Sequence, residues 1–89
     1  MKFRKKSIVV EAQQFHVWES NHPPNVHRRY PDGDEPTKWH GARVEFYVIT
    51  IHGQEVLLQD GDWVIQESME GRAYPCKPDI FAATYEAVL

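Results

Sequence analysis

The side chains with the richest chemistry in this chain of 89 residues are five histidines and one cysteine. His22 and His27 have four residues between them, with His16 upstream, His40 downstream and Cys76 as a remote soft ligand. Zinc accepts all of these groups. However, no pair has the compact spacing of a helical HxxxH, and the stretch carrying the histidines is rich in proline. Packed or exposed histidines are the simpler expectation, and no cofactor or metal is expected. Cys76 with a histidine and Asp79 has the composition of a nucleophile, base and acid. Such a cysteine needs a base within hydrogen-bond reach and an electropositive setting. Lys77 and the start of a short helix would supply part of that setting. A free cysteine at the end of a strand is more often a small buried hydrophobe, and catalysis is not expected.

Asp32, Asp34 and Glu35 surround Gly33 as in a calcium loop, but no bidentate glutamate stands at the required offset, and turn chemistry accounts for Pro31-Asp32-Gly33-Asp34 without an ion. Arg4, Lys5 and Lys6, together with Arg28 and Arg29, can form a basic patch, with Trp18, Tyr30 and Trp39 available for base stacking. The formal net charge of -3 argues against nucleic acid as the partner, because nonspecific duplex binding draws on many cationic contacts to phosphate.

These residues must be held by a single domain, since 89 residues build one modest core. A 42% hydrophobic share supplies the apolar area for it. One cysteine rules out an internal disulfide and a four-cysteine zinc module, and suits a reducing cytoplasm. The apolar run after the basic residues Lys2 to Lys6 is only Ile8, Val9 and Val10, too short for a signal peptide or a membrane span.

Alternation over Ser7–Phe15 predicts a first strand, with Ile8, Val10 and Ala12 on one face. Over 16–41 the breakers crowd together, among them Pro23, Pro24, Pro31, Gly33 and Pro36, which predicts a long irregular loop outside the sheet. From Ala42 the pattern is a meander. Val44, Phe46 and Val48 alternate in its most secure strand, and His52-Gly53 turns into Glu55–Leu58. Gln59-Asp60-Gly61 turns again into Asp62–Gln66, with Trp63 and Ile65 facing opposite to Val64. A fourth strand, Arg72–Cys76, contains Pro75 and so belongs at an edge. Pro78 and Asp79 then have the signature of a short helix, and Tyr85–Leu89 is a candidate closing strand.

The two ends of the chain carry a resemblance. Lys2-Phe3-Arg4-Lys5-Lys6-Ser7-Ile8-Val9-Val10-Glu11-Ala12-Gln13-Gln14-Phe15 resembles an opening of the type KxRKKPVVVEAxQF. Gly61-Asp62-Trp63-Val64-Ile65, Gly71, Tyr74-Pro75-Cys76-Lys77-Pro78-Asp79-Ile80-Phe81 and Thr84-Tyr85-Glu86 resemble the ending GDWIIxGxxGExYPCKPDIFxxTYE. Both belong to a family of small uncharacterised proteins of tailed phages and prophages. About half of the chain is covered. Ser7 stands where the family type has proline, Ala73 replaces the usual larger neighbour of Tyr74, and 16–41 has no counterpart. The resemblance implies a phage origin and a fold, and brings no catalytic residue with it.

The expectation is therefore an α+β, mainly β domain spanning 1–89, either a small antiparallel meander sheet or a half-open barrel, with one short C-terminal helix. Its core centres on Val10, Phe46, Val48, Val64, Ile65, Phe81 and Tyr85. The expected function is that of a phage or prophage accessory protein that is not an enzyme. It would act in the bacterial cytoplasm by binding a protein partner of host or phage, or a further copy of itself, with no membrane involved. A small-ligand or nucleotide-binding protein is the alternative, and a metal-dependent or cysteine enzyme the second. The candidate binding residues are Trp63, Tyr74, Lys77, Asp79, Trp39, Arg28 and Arg29.

Overall fold

A computed structural model describes Met1 and residues 9–31 and 44–87. Six short strands and one helix follow one another: β1 (Ala12–Gln14), β2 (His27–Arg29), β3 (Glu45–Ile49), β4 (Glu55–Leu57), β5 (Trp63–Gln66), β6 (Ala73–Cys76) and α1 (Pro78–Thr84). They form two three-stranded antiparallel sheets, ordered β1-β5-β6 and β2-β3-β4. The class is the expected one, mainly β with a short C-terminal helix, but the meander is not continuous. β4 hands the chain to β5 across two layers and does not pair with it, because β1 takes the place beside β5.

The change of layer is made at the turn Gln59–Asp62. The Asp62 amide donates to the Gln59 carbonyl at 3.0 Å, and Phe15 locks the turn by donating to the Asp62 carbonyl at 2.7 Å and accepting from the Gly61 amide at 2.8 Å. Gly61 sits at φ +93, where a side chain is strained.

Register assigns the faces. Gln13 lies opposite Val64 and Gln66 opposite Ala73, so Phe15, Val64 and Ala73 share one face of the first sheet. That face packs against Phe46 and Val48 of the second sheet, with Val26, Val44, Val56 and Leu58 around the margin. Trp63 and Ile65 point the other way, as their alternation predicts, and Trp63 meets Phe81 of α1. Among the described residues the buried core side chains are Phe15, Phe46, Val48, Val64, Ile65 and Ala73, and Pro23 is buried as well. The expected core was right in its strand residues and wrong at three others: Val10, Phe81 and Tyr85 are only half-buried, while Phe15 and Ala73 take core places that were not assigned to them.

The expected loop 16–41 needs a larger correction, for part of its described portion, around His22 and Pro23, lies on the core. Pro23 is buried, and the His22 ring meets Phe15 and Phe46, each at 5.0 Å. Asn25 turns the chain at φ 67, a left-handed angle that asparagine tolerates, and its amide donates to Gln66 at 2.6 Å. Beyond this turn His27, Arg28 and Arg29 are free of breakers and pair with β3. His27 stacks on Tyr47, and Arg29 meets Glu45, its cross-strand partner. The long loop is thus interrupted by a strand that the density of breakers concealed. At the other end, Tyr85 is extended and caps α1, and no strand follows within 85–87.

Candidate functional site

Four candidate residues come together around α1. Lys77, extended at φ -64 and ψ 145, is the N-cap residue, Pro78 opens the helix, and Asp79 lies exposed in its first turn. Lys77 reaches back across the layer-changing turn. Its ammonium donates to Asp62 Oδ1 at 3.0 Å and to Gln59 Oε1 at 2.8 Å, while Asp62 Oδ2 accepts the Gln59 amide at 2.9 Å. Asp62 is only 2% exposed, so the cluster partners a buried carboxylate and fastens the helix to the turn.

The aromatic residues here also meet one another. Phe81 lies flat on Trp63, with centroids 4.1 Å apart and planes at 3°, and Tyr85 continues the stack at 4.9 Å from Phe81. The Tyr74 and Tyr85 hydroxyls are 3.1 Å apart. Burial, followed by that hydrogen bond, pushes the Tyr74 phenol well above the ordinary tyrosine range.

Cys76 ends β6 half-buried. Burial pushes its thiol up, and the charges of Asp62 and Asp79 push it further. A nucleophilic cysteine requires the opposite shift. Burial first, then Asp62, and least the acid that composition offered as a catalytic partner, thus favour the thiol over the thiolate.

The arginines belong to the other sheet. Arg29 donates to Glu45 at 3.2 Å and to Glu55 at 2.5 Å, and its guanidinium lies 4.8 Å from the centre of the Tyr47 ring. The two carboxylates raise the pKa of a group that is already always charged. Arg28, next to it on β2, is exposed. Trp39 and His40, the basic residues Arg4 to Lys6 and the acids Asp32, Asp34 and Glu35 lie outside the described residues. Among the described residues no group of three or more His, Cys, Asp or Glu side chains is placed to hold a metal ion.

A further region lies in the loop after β1. Trp18 is 74% exposed and Val17 46% exposed, large apolar side chains left in water. Trp18 stacks on the His16 ring at 5.0 Å. The loop is anchored beneath them, since the Val17 amide donates to Asp60 Oδ1 at 2.8 Å, and His16 Nδ1 lies 3.6 Å from the same oxygen. Val17 also walls an open groove of about 180 Å³, shared with Val44, Glu45, Phe46, Leu57 and Leu58.

Two of these features escaped sequence reasoning. Asp62 reads as the polar first residue of a strand, and only its position directly after a turn glycine hints that its carboxylate folds back onto that turn. Trp18 shows as an aromatic in a breaker-rich stretch, which says nothing about its exposure.

Comparison with protein-family models, with curated proteins and with solved structures found no match. Among the described residues no helix is long and apolar enough to cross a membrane.

Proposed function

We propose that this chain is a phage or prophage accessory protein that acts by binding a protein partner and catalyses no reaction, with the Val17–Trp18 loop as the contact. The carrying observation is the exposure of Trp18 on an anchored loop beside an apolar groove. Tryptophan is the side chain most enriched among residues that dominate protein interfaces, and a pre-ordered loop loses little entropy on docking. The polar groups around α1 support the same reading, because Lys77, Asp62 and Gln59 are bonded to one another, the Tyr74 and Tyr85 hydroxyls meet, and Asp79 faces solvent, so among the described residues they do not converge on a substrate. At Trp63, Phe81 already lies on one face of the ring and takes that face from any small ligand. The phage origin is supported by the likeness at the two chain ends.

The test is affinity capture from lysogenic bacteria with the wild-type chain and with Trp18→Ala. A discrete protein held by the wild type and lost with Trp18→Ala, at an unchanged melting temperature, is the expected outcome. Equal capture by both, or none by either, would overturn the reading.

A further inference from the structure

Backbone bonding leaves the strands unequal at their outer edges. On β4 the Leu58 amide donates to the Phe46 carbonyl at 2.8 Å, and across the same ladder the Thr50 amide donates to the Gln54 carbonyl at 2.9 Å. In an antiparallel pair, bonded and non-bonded positions alternate. Residues 54, 56 and 58 therefore turn their amides and carbonyls toward β3, and Glu55 and Leu57 turn theirs outward. Among the described residues no partner meets these outward groups.

The other three edges are protected. On β6 the residue opposite Val64 is Pro75, which has no amide hydrogen to offer. On β2 the outward position is Arg28, beside Arg29, and charge guards a short edge. The edge of β1 is overhung by the chain at Asn21, whose carbonyl accepts from Gln13 Nε2 at 3.1 Å. β4 has no proline and no overhanging chain, its one charge, Glu55, is already paired with Arg29, and Leu57 on it is 49% exposed.

The geometry points to β4 as a homodimer edge, paired antiparallel with β4 of a second copy about a twofold axis through Val56. In that register Glu55 of each protomer faces Leu57 of the other, so the outward groups of both residues are met across the axis. No glutamate faces a glutamate, because each Glu55 lies across from a leucine and is already held by Arg29. The register also covers the two Leu57 side chains, which become diagonal neighbours on one face. Three strands from each protomer then form one continuous sheet. A second copy is the occupant that this strand fits without any further sequence being required, as a twofold interface demands self-complementarity. Leu57 also walls the groove beside the Val17–Trp18 loop, but Trp18 itself lies outside the paired strands, so Trp18→Ala tests the partner site alone.

Sedimentation equilibrium of the full chain over a wide concentration range tests it, alongside three variants. Wild type should show twice the chain mass at high concentration. Leu57→Pro removes an outward amide while sparing the ladder to β3, and should stay monomeric. Leu57→Glu places like charges across the axis and should raise the dimer dissociation constant roughly tenfold, whereas Leu57→Lys meets the partner's Glu55 and should not. The two charge variants keep the question open to refutation if the proline variant fails to fold. Trp18→Ala should dimerise as the wild type does, which separates this proposal from the partner site. A wild type that stays monomeric at every concentration, or Leu57→Glu and Leu57→Lys shifting dimerisation equally, would overturn it.

Discussion

Two tryptophans sit in contrasting surroundings. Trp63, in the stretch that looks most like a signature, has its ring against Phe81 at 4.1 Å, while Lys77 beside it is bonded to Asp62 and Gln59. Trp18, in a stretch that resembles nothing, is 74% exposed with a histidine ring as its only aromatic contact among the described residues. A distinctive cluster of Trp, Tyr, Lys and Asp is therefore no guide to a binding site by itself. What separates the two regions is how much of each side chain's bonding and contact capacity the fold already uses. The first is a closure and the second is available.

The contrast is broken most severely at Asp62. Asp62→Ala leaves the Gln59 amide without its acceptor and the Lys77 ammonium without its charge partner, and should cost about 1–3 kcal/mol. Lys77 is 49% exposed and recovers some hydration, which keeps the loss below that of a fully buried pair. For a domain of this length the melting temperature should fall by roughly 4–8 °C per kcal/mol. An unchanged melting temperature would mean that the helix does not depend on this link.

The next variant, Phe81→Ala, removes the ring lying on Trp63. Because Phe81 is half-buried, its loss should cost about 1–2 kcal/mol, short of what a fully buried phenylalanine would give. Read in a background carrying Trp39→Phe, Trp63 fluorescence should shift to the red as the indole gains water, while Trp18, already wet, contributes no change. A stability loss without a spectral shift would put the contribution of Phe81 elsewhere than on Trp63.

The limits of sequence reading follow the same division. Local rules placed α1 correctly, because proline at the first helical position and an acid one residue later act within one turn. They also placed Pro75 on an edge. The split into two sheets was not legible, since it depends on β1 reaching β5 across some 50 residues of chain, a contact that no periodicity encodes. β2 was hidden for a related reason: three residues are too few to show alternation, and the pairings of His27 with Tyr47 and Arg29 with Glu45 exist only once β3 lies alongside. Alternation put Phe15 on the face opposite Val10, but it could not say that the Phe15 face is the covered one, because that depends on which sheet lies over β1. Of the candidate site, the residue types around α1 were visible, and their mutual satisfaction was not.

The smallest effect at neutral pH belongs to Tyr74→Phe, and it separates the closure from the rest of the molecule by its pH dependence. Burial first, and then the hydrogen bond with Tyr85, raise the Tyr74 pKa in the folded chain above its unfolded value of about 10. A folded pKa above the unfolded one favours the protonated form in the native state. Below about pH 10 both states hold the proton, so this contribution is fully present. As pH rises further the unfolded chain ionises first, and stability falls until the folded phenol ionises too. The wild-type denaturant midpoint should therefore decline from about pH 10 upward. Tyr74→Phe should start slightly lower at pH 8, by about 0.5–1.5 kcal/mol for the lost hydroxyl contact, and decline less steeply. Trp18→Ala should follow the wild-type curve throughout, because its ring lies outside the closure. Parallel alkaline declines in wild type and Tyr74→Phe would show that the proton on Tyr74 is not what the closure holds.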